Sequence, residues 1–99
     1  MDPLWKLPSG EFAGWRSSNR LYNADGKNIG YFIDNTAYSL EGDYLGEIYL
    51  SELEPFWIGK KSGAFRARGA PKSGTSGIPH SRHPDRSGRP AVGWEDPDF

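Results

Sequence analysis

Apolar residues in this chain fall in short clusters, and none keeps the spacing of a helix face over several turns. Between the clusters, glycines recur at a fixed interval. Gly10 and Gly14 return sixteen residues later as Gly26 and Gly30, and sixteen later again as Gly42 and Gly46. Gly59 and Gly63 follow one residue late. An aromatic residue or Leu usually stands four or five positions before the first Gly of a pair. Self-similarity at a fixed period means one supersecondary unit used repeatedly. With no helical pattern present, that unit is a β-hairpin and the chain is all-β.

In the second copy, Arg20 to Phe32, Asp25-Gly26 is a two-residue hairpin signal, because a type I′ turn needs positive φ at both central positions. Such a turn pairs Tyr22 with Ile29 and Leu21 with Gly30. It places Tyr22, Ile29 and Tyr31 on one face and Leu21 and Asn23 on the other. In the third copy, Glu41-Gly42 sets Tyr38 opposite Leu45 and Ala37 opposite Gly46 in the same way. The first copy, Leu4 to Trp15, has Trp5 five positions before Gly10, which predicts a loop one residue longer. The fourth, Pro55 to Phe65, turns at Gly59-Lys60-Lys61, and Pro55 excludes a central strand there.

The second Gly of each pair (Gly14, Gly30, Gly46, Gly63) falls inside a strand, where it costs entropy and packs nothing. Repeated in register, it predicts close backbone approach. Four hairpins set around a pseudo-four-fold axis would supply that crowding, and a β-bulge repeated along a meander is the other arrangement. The expected organisation is a hairpin-repeat domain over residues 1–65 and an extended tail over 66–99.

That tail is rich in Gly, Pro, Ser and Arg, a composition that does not form a core by itself. Its closing segment, Ala91 to Phe99, offers Trp94 as an apolar anchor. The formal net charge of −1 conceals a division. Residues 1–58 carry four basic and nine acidic side chains, residues 59–90 eight basic and one acidic, and the last nine residues three acidic. Either the tail folds over the head, or each half meets a different partner.

The chain reads as four consecutive hairpins, whose Tyr-x-x-x-Gly-x-x-x-Gly spacing is carried by Tyr22–Tyr31 and Tyr38–Gly46 and its glycine pair again by Gly59–Gly63, followed by a basic tail from Gly69-Ala-Pro-Lys to Val92-Gly-Trp94. In these features the chain resembles the bacterial four-fold β-flower proteins. The resemblance implies four petals around a pseudo-four-fold axis and carries no activity with it.

The chain has no Cys, which removes disulfides, thiolate metal sites and Cys catalysis and fits a reducing cytoplasm. Its first residues show neither a basic nor an apolar signal region, and no apolar run reaches membrane length. A cytoplasmic location away from the membrane is therefore expected. His80, His83 and Asp85 have a metal-like spacing, but Arg82 and Arg86 beside them repel a cation, so no metal is expected. No nucleophile elbow, phosphate loop or cofactor motif is present, so neither an enzyme nor a cofactor is expected. Fourteen of the 99 residues are aromatic, and with the arginines they supply the means to stack a planar ring and pair an anion. The expected function is a non-catalytic module binding a small planar anionic, nucleotide-like ligand. Its candidate residues are Trp15, Arg16, Arg20, Tyr31, Trp57, Arg66, Arg68 and Trp94. A scaffold that docks on a protein partner and nucleic-acid binding through the basic tail are the alternatives. A small exposed sheet face also predicts a homo-oligomer.

Overall fold

Two kinds of turn alternate along the chain and set its geometry. The structure, a computed structural model, describes residues 1–49, 57–61, 68–78, 81–88 and 91–99. Its strands are β1 (Asp2–Lys6), β2 (Phe12–Ser17), β3 (Arg20–Asn23), β4 (Asn28–Ile33), β5 (Thr36–Ser39), β6 (Tyr44–Tyr49), β7 (Trp57–Lys61) and β8 (Trp94–Glu95). The chain is all-β, with β1 to β7 closed into a barrel and β8 added to β7. Consecutive strands are antiparallel, so an odd number of them leaves the first and seventh pointing the same way. The barrel therefore closes through a parallel seam, Trp5 beside Trp57 and Lys6 beside Ile58.

The first kind of turn is the glycine loop. In the second copy the Asn23 N–H donates to the Lys27 carbonyl (2.9 Å) and the Gly26 N–H to the Asn23 carbonyl (2.9 Å). The loop is thus three residues long, Ala24-Asp25-Gly26, with Gly26 left-handed at φ 82°. The third copy repeats it over residues 40–42, and the first takes four residues between Lys6 and Glu11. The second kind joins one copy to the next, with Ser18 (φ 56°) and Asp34 (φ 54°) left-handed and sixteen residues apart. There the Phe32 N–H donates to the Asn19 carbonyl (2.7 Å) and the Ile48 N–H to the Asn35 carbonyl (2.8 Å).

A three-residue loop where two were expected changes the register. Leu21 pairs with Gly30 and Ala37 with Gly46, as the spacing indicates. Nearer the loops, however, Tyr22 pairs with Asn28 and Tyr38 with Tyr44, across a bulge in each hairpin. Ile29 and Leu45 are thereby displaced from the expected pairs with Tyr22 and Tyr38, and they pack against the inner core. The Gly59-Lys60-Lys61 turn is also corrected, since those residues continue β7. Gly59 pairs with Glu47, and Lys60 and Lys61 pair with Glu95 and Trp94. Pro55, Phe56 and residues 62–65 of the fourth copy, Gly63 included, lie outside the described residues.

The inner core takes one side chain from each of the seven strands: Leu4, Ala13, Leu21, Phe32, Ala37, Ile48 and Ile58. Removing a Leu- or Ile-sized side chain from water contributes about 1.5–3 kcal/mol. The strands run so close that a Cβ on Gly14 or Gly30 would collide with the carbonyl of Tyr22 or Tyr38. These two clashes are again sixteen residues apart, and they explain the second Gly of the repeat.

The outer face is aromatic. Trp5, Phe12, Trp15, Tyr22 and Trp57 cluster there with Leu7, and the tail lies against them. The tail meets the glycine loops in reverse order. Gly69 donates its N–H to the Gly42 carbonyl (2.8 Å), Ile78 to Gly26 (2.8 Å) and Arg86 to Gly10 (2.7 Å). Between these points the Tyr31 hydroxyl donates to the Ala70 carbonyl (2.7 Å) and Trp5 Nε1 to the Pro84 carbonyl (2.9 Å). Asp85 accepts the Phe12 N–H (2.8 Å), and the His83 ring lies 5.4–6.2 Å from Phe12, Trp5 and Trp15. At the end of the chain, Trp94 stands edge-on to Tyr49 and Lys60 pairs with Asp98 (3.0 Å). That hydrogen bond and charge hold the Lys60 ammonium above its ordinary pKa of 10.5. The tail thus folds over the head in cis, chiefly through backbone carbonyls and ring contacts.

Candidate functional site

A cavity of about 660 Å³ opens where β4 and the two left-handed turns face the tail. Arg16 and Arg20 come from either side of the turn at Ser18, and Asp34 from the equivalent turn one repeat later. Tyr31 and Phe32 form the strand wall, and Lys72 and Ser73 of the tail close the opposite side. Strand alternation turns Phe32 into the core, while Tyr31 faces the tail.

The Arg16 guanidinium is fixed in place. It lies 4.2 Å from the centre of the Phe32 ring and donates to the Ser18 carbonyl (3.0 Å), the Asp34 carbonyl (2.8 Å) and Asn35 Oδ1 (3.2 Å). All three acceptors are neutral, so they orient the cation without cancelling its charge. Two of its five N–H donors make no hydrogen bond with a described residue. Arg20 is exposed and makes no hydrogen bond or ion pair with a described residue. Lys72 is held by its backbone N–H on the Leu40 carbonyl (2.8 Å), with its ammonium 5.0 Å over the Tyr31 ring. Among the described residues, three cations therefore line the cavity against one carboxylate, that of Asp34. Elsewhere Lys6, Lys60 and Arg68 are matched with Glu11, Asp98 and Asp43.

Of the residues singled out from sequence, the fold brings Arg16, Arg20 and Tyr31 to this cavity. Trp15 (2% exposed) and Trp57 (4%) belong to the aromatic cluster beneath the tail. Arg68 lies at the third glycine loop, on Asp43 (3.3 Å) and the Glu41 carbonyl (3.2 Å). Trp94 sits by Tyr49, and Arg66 lies outside the described residues. Sequence reasoning missed Lys72, because its place depends on the path of the tail. That path is set by main-chain ties, Gly69 to the Gly42 loop and Ile78 to the Gly26 loop, which leave no mark in the sequence.

The rings lining the cavity are already in use. Tyr31 is stacked on Tyr38 (5.6 Å, 23°) and capped by Lys72, and Phe32 is capped by Arg16. They hold cations in place and leave recognition to charge. His80 of the metal-like spacing is outside the described residues, among which no three His, Cys, Asp or Glu side chains gather as metal ligands do. Among the same residues no helix is long and apolar enough to cross a membrane. No protein-family model, curated protein or solved structure matches this chain.

Proposed function

We propose that this chain is a non-catalytic binding module whose cavity takes a small anionic ligand of nucleotide size, held by its phosphates. The observation that carries the reading is the convergence of Arg16, Arg20 and Lys72 on one cavity, with no carboxylate of the described residues matched to any of them. A volume of about 660 Å³ also falls within the range of small-molecule sites. Arg16 is pre-oriented by neutral acceptors, so little ordering is needed on binding. Charge leads here and ring stacking is secondary, which refines the planar-ligand expectation. The equivalent turns at Ser18 and Asp34 and the glycine loops support a four-petal arrangement of the β-flower kind, which we propose as the finer description of the fold.

Calorimetric titration with ADP, inorganic pyrophosphate and adenosine tests the reading. Pyrophosphate and ADP should bind while adenosine does not. Arg20→Ala should weaken both by about tenfold or more, the worth of a charged hydrogen bond. Absence of binding by both anions at millimolar concentration would overturn it.

A further inference from the structure

We infer that the anion is also a latch for the tail: one ligand bridges Arg16 and Arg20 on the barrel to Lys72 and Ser73 on the tail, so binding and docking of residues 68–78 reinforce each other. The inference rests on the anion-binding reading above and adds a coupling to it. Its basis is that the cavity walls belong to two differently held parts of the chain. The barrel wall is fixed by strand pairing on both sides of β4. The tail wall has no strand pairing and hangs on separate ties: Gly69 on Gly42, Ala70 on Tyr31, Lys72 on Leu40, Thr75 on Asn28 and Ile78 on Gly26.

Charge gives the coupling its sign. Docking the tail carries the Lys72 ammonium to a cavity that already holds two guanidinium groups, against the carboxylate of Asp34 alone among the described residues. Like charges gathered in this way oppose docking. A dianionic phosphate between them reverses that opposition and adds contacts to both walls. Whatever binds the docked state better than the open one shifts the population toward docking by its differential affinity. The tail beyond Ile78 is tied to the first hairpin, at Gly10, Trp5 and Phe12, away from the cavity. It serves as an internal reference.

Amide hydrogen exchange of the full chain, with and without inorganic pyrophosphate, reads the coupling. The amides of Gly69, Lys72 and Ile78, whose hydrogen bonds break when the strap lifts, should exchange more slowly. At a pyrophosphate concentration a hundred times Kd the slowing should reach about a hundredfold if only the docked state binds. Arg86, hydrogen-bonded to Gly10, should change far less. Lys72→Ala, on the exposed strap, should weaken pyrophosphate binding about tenfold and abolish the selective slowing, and Lys72→Arg should restore both. Binding without selective slowing at 69–78, or slowing spread evenly to Arg86, would overturn the latch and leave the anion site standing. No binding at all would overturn both.

Discussion

The barrel and the tail are built on opposite principles. In the barrel each strand buries a side chain in a common core and hydrogen-bonds to both neighbours, so removing one element weakens all the others. The tail buries little of its own. It is held at intervals, one tie per loop or ring, and the strap over residues 68–78 can lift while the ties to the first hairpin, at Gly10, Trp5 and Phe12, hold. The two regions should therefore fail differently: the barrel as a unit, the tail piece by piece.

The largest expected effect breaks the barrel. Gly30→Ala drives a Cβ into the Tyr38 carbonyl of the adjacent strand, where rigid backbone cannot yield. The cost should exceed about 4 kcal/mol, and circular dichroism of the purified variant should show loss of the native β signal. A native spectrum and an unchanged urea midpoint would remove close strand approach as the reason for the second glycines. Next comes Leu21→Ala, which empties a fully buried position of the inner core. A loss of about 2–5 kcal/mol by urea denaturation is expected, with barrel and tail melting together.

The smaller effects belong to the tail. Tyr31→Phe deletes the hydroxyl donor to Ala70 and should lower global stability by only about 1 kcal/mol. Exchange at Gly69 and Lys72 should nevertheless quicken, while Phe32 and Ile48 in the barrel stay protected. Equal acceleration everywhere would contradict independent ties. The least effect is at the C-terminus. Lys60 has its pKa raised by Asp98, so its contribution is complete below pH 10.5 and is lost as pH climbs through the higher folded value. The Trp94 indole resonance should shift toward a free-chain position in that alkaline window, and Asp98→Asn should abolish the step. Because the pair is exposed, global stability should hardly move.

The same contrast explains what was legible in the sequence. Gly14, Gly30 and Gly46 could be read because a side-chain-free position inside a strand has few other uses. The pairing of Leu21 with Gly30 and of Ala37 with Gly46 follows from a two-residue turn, and it holds with the longer loop because the bulge in each hairpin absorbs the extra residue. The register nearer the loops could not be read. Asp25-Gly26 suits both a two-residue turn and the last positions of a three-residue loop, and the bulges that release Ile29 and Leu45 to the core follow from the second choice. Gly59-Lys60-Lys61 reads as a turn because its strand partners, Glu47 for Gly59 and the distant β8 for Lys60 and Lys61, leave no local mark. In the tail, docking runs through main-chain carbonyls, which every residue carries. Composition there gave charge but no path, and among the described residues the two exposed ion pairs that join tail to barrel are minor beside the ties to loops and rings. The cavity was half legible for the same reason. Arg16, Arg20 and Tyr31 lie within the repeat, whereas Lys72 arrives from outside it.

The central claim is that one anion is held by barrel and tail together. An isotope-detected NMR titration of the intact chain with inorganic pyrophosphate tests it most directly. The account predicts that the guanidinium Nε–H signals of Arg16 and Arg20 and the amides of Lys72 and Ser73 shift along one saturation curve with a single Kd. Shifts confined to the barrel arginines, with Lys72 and Ser73 unmoved, would contradict it.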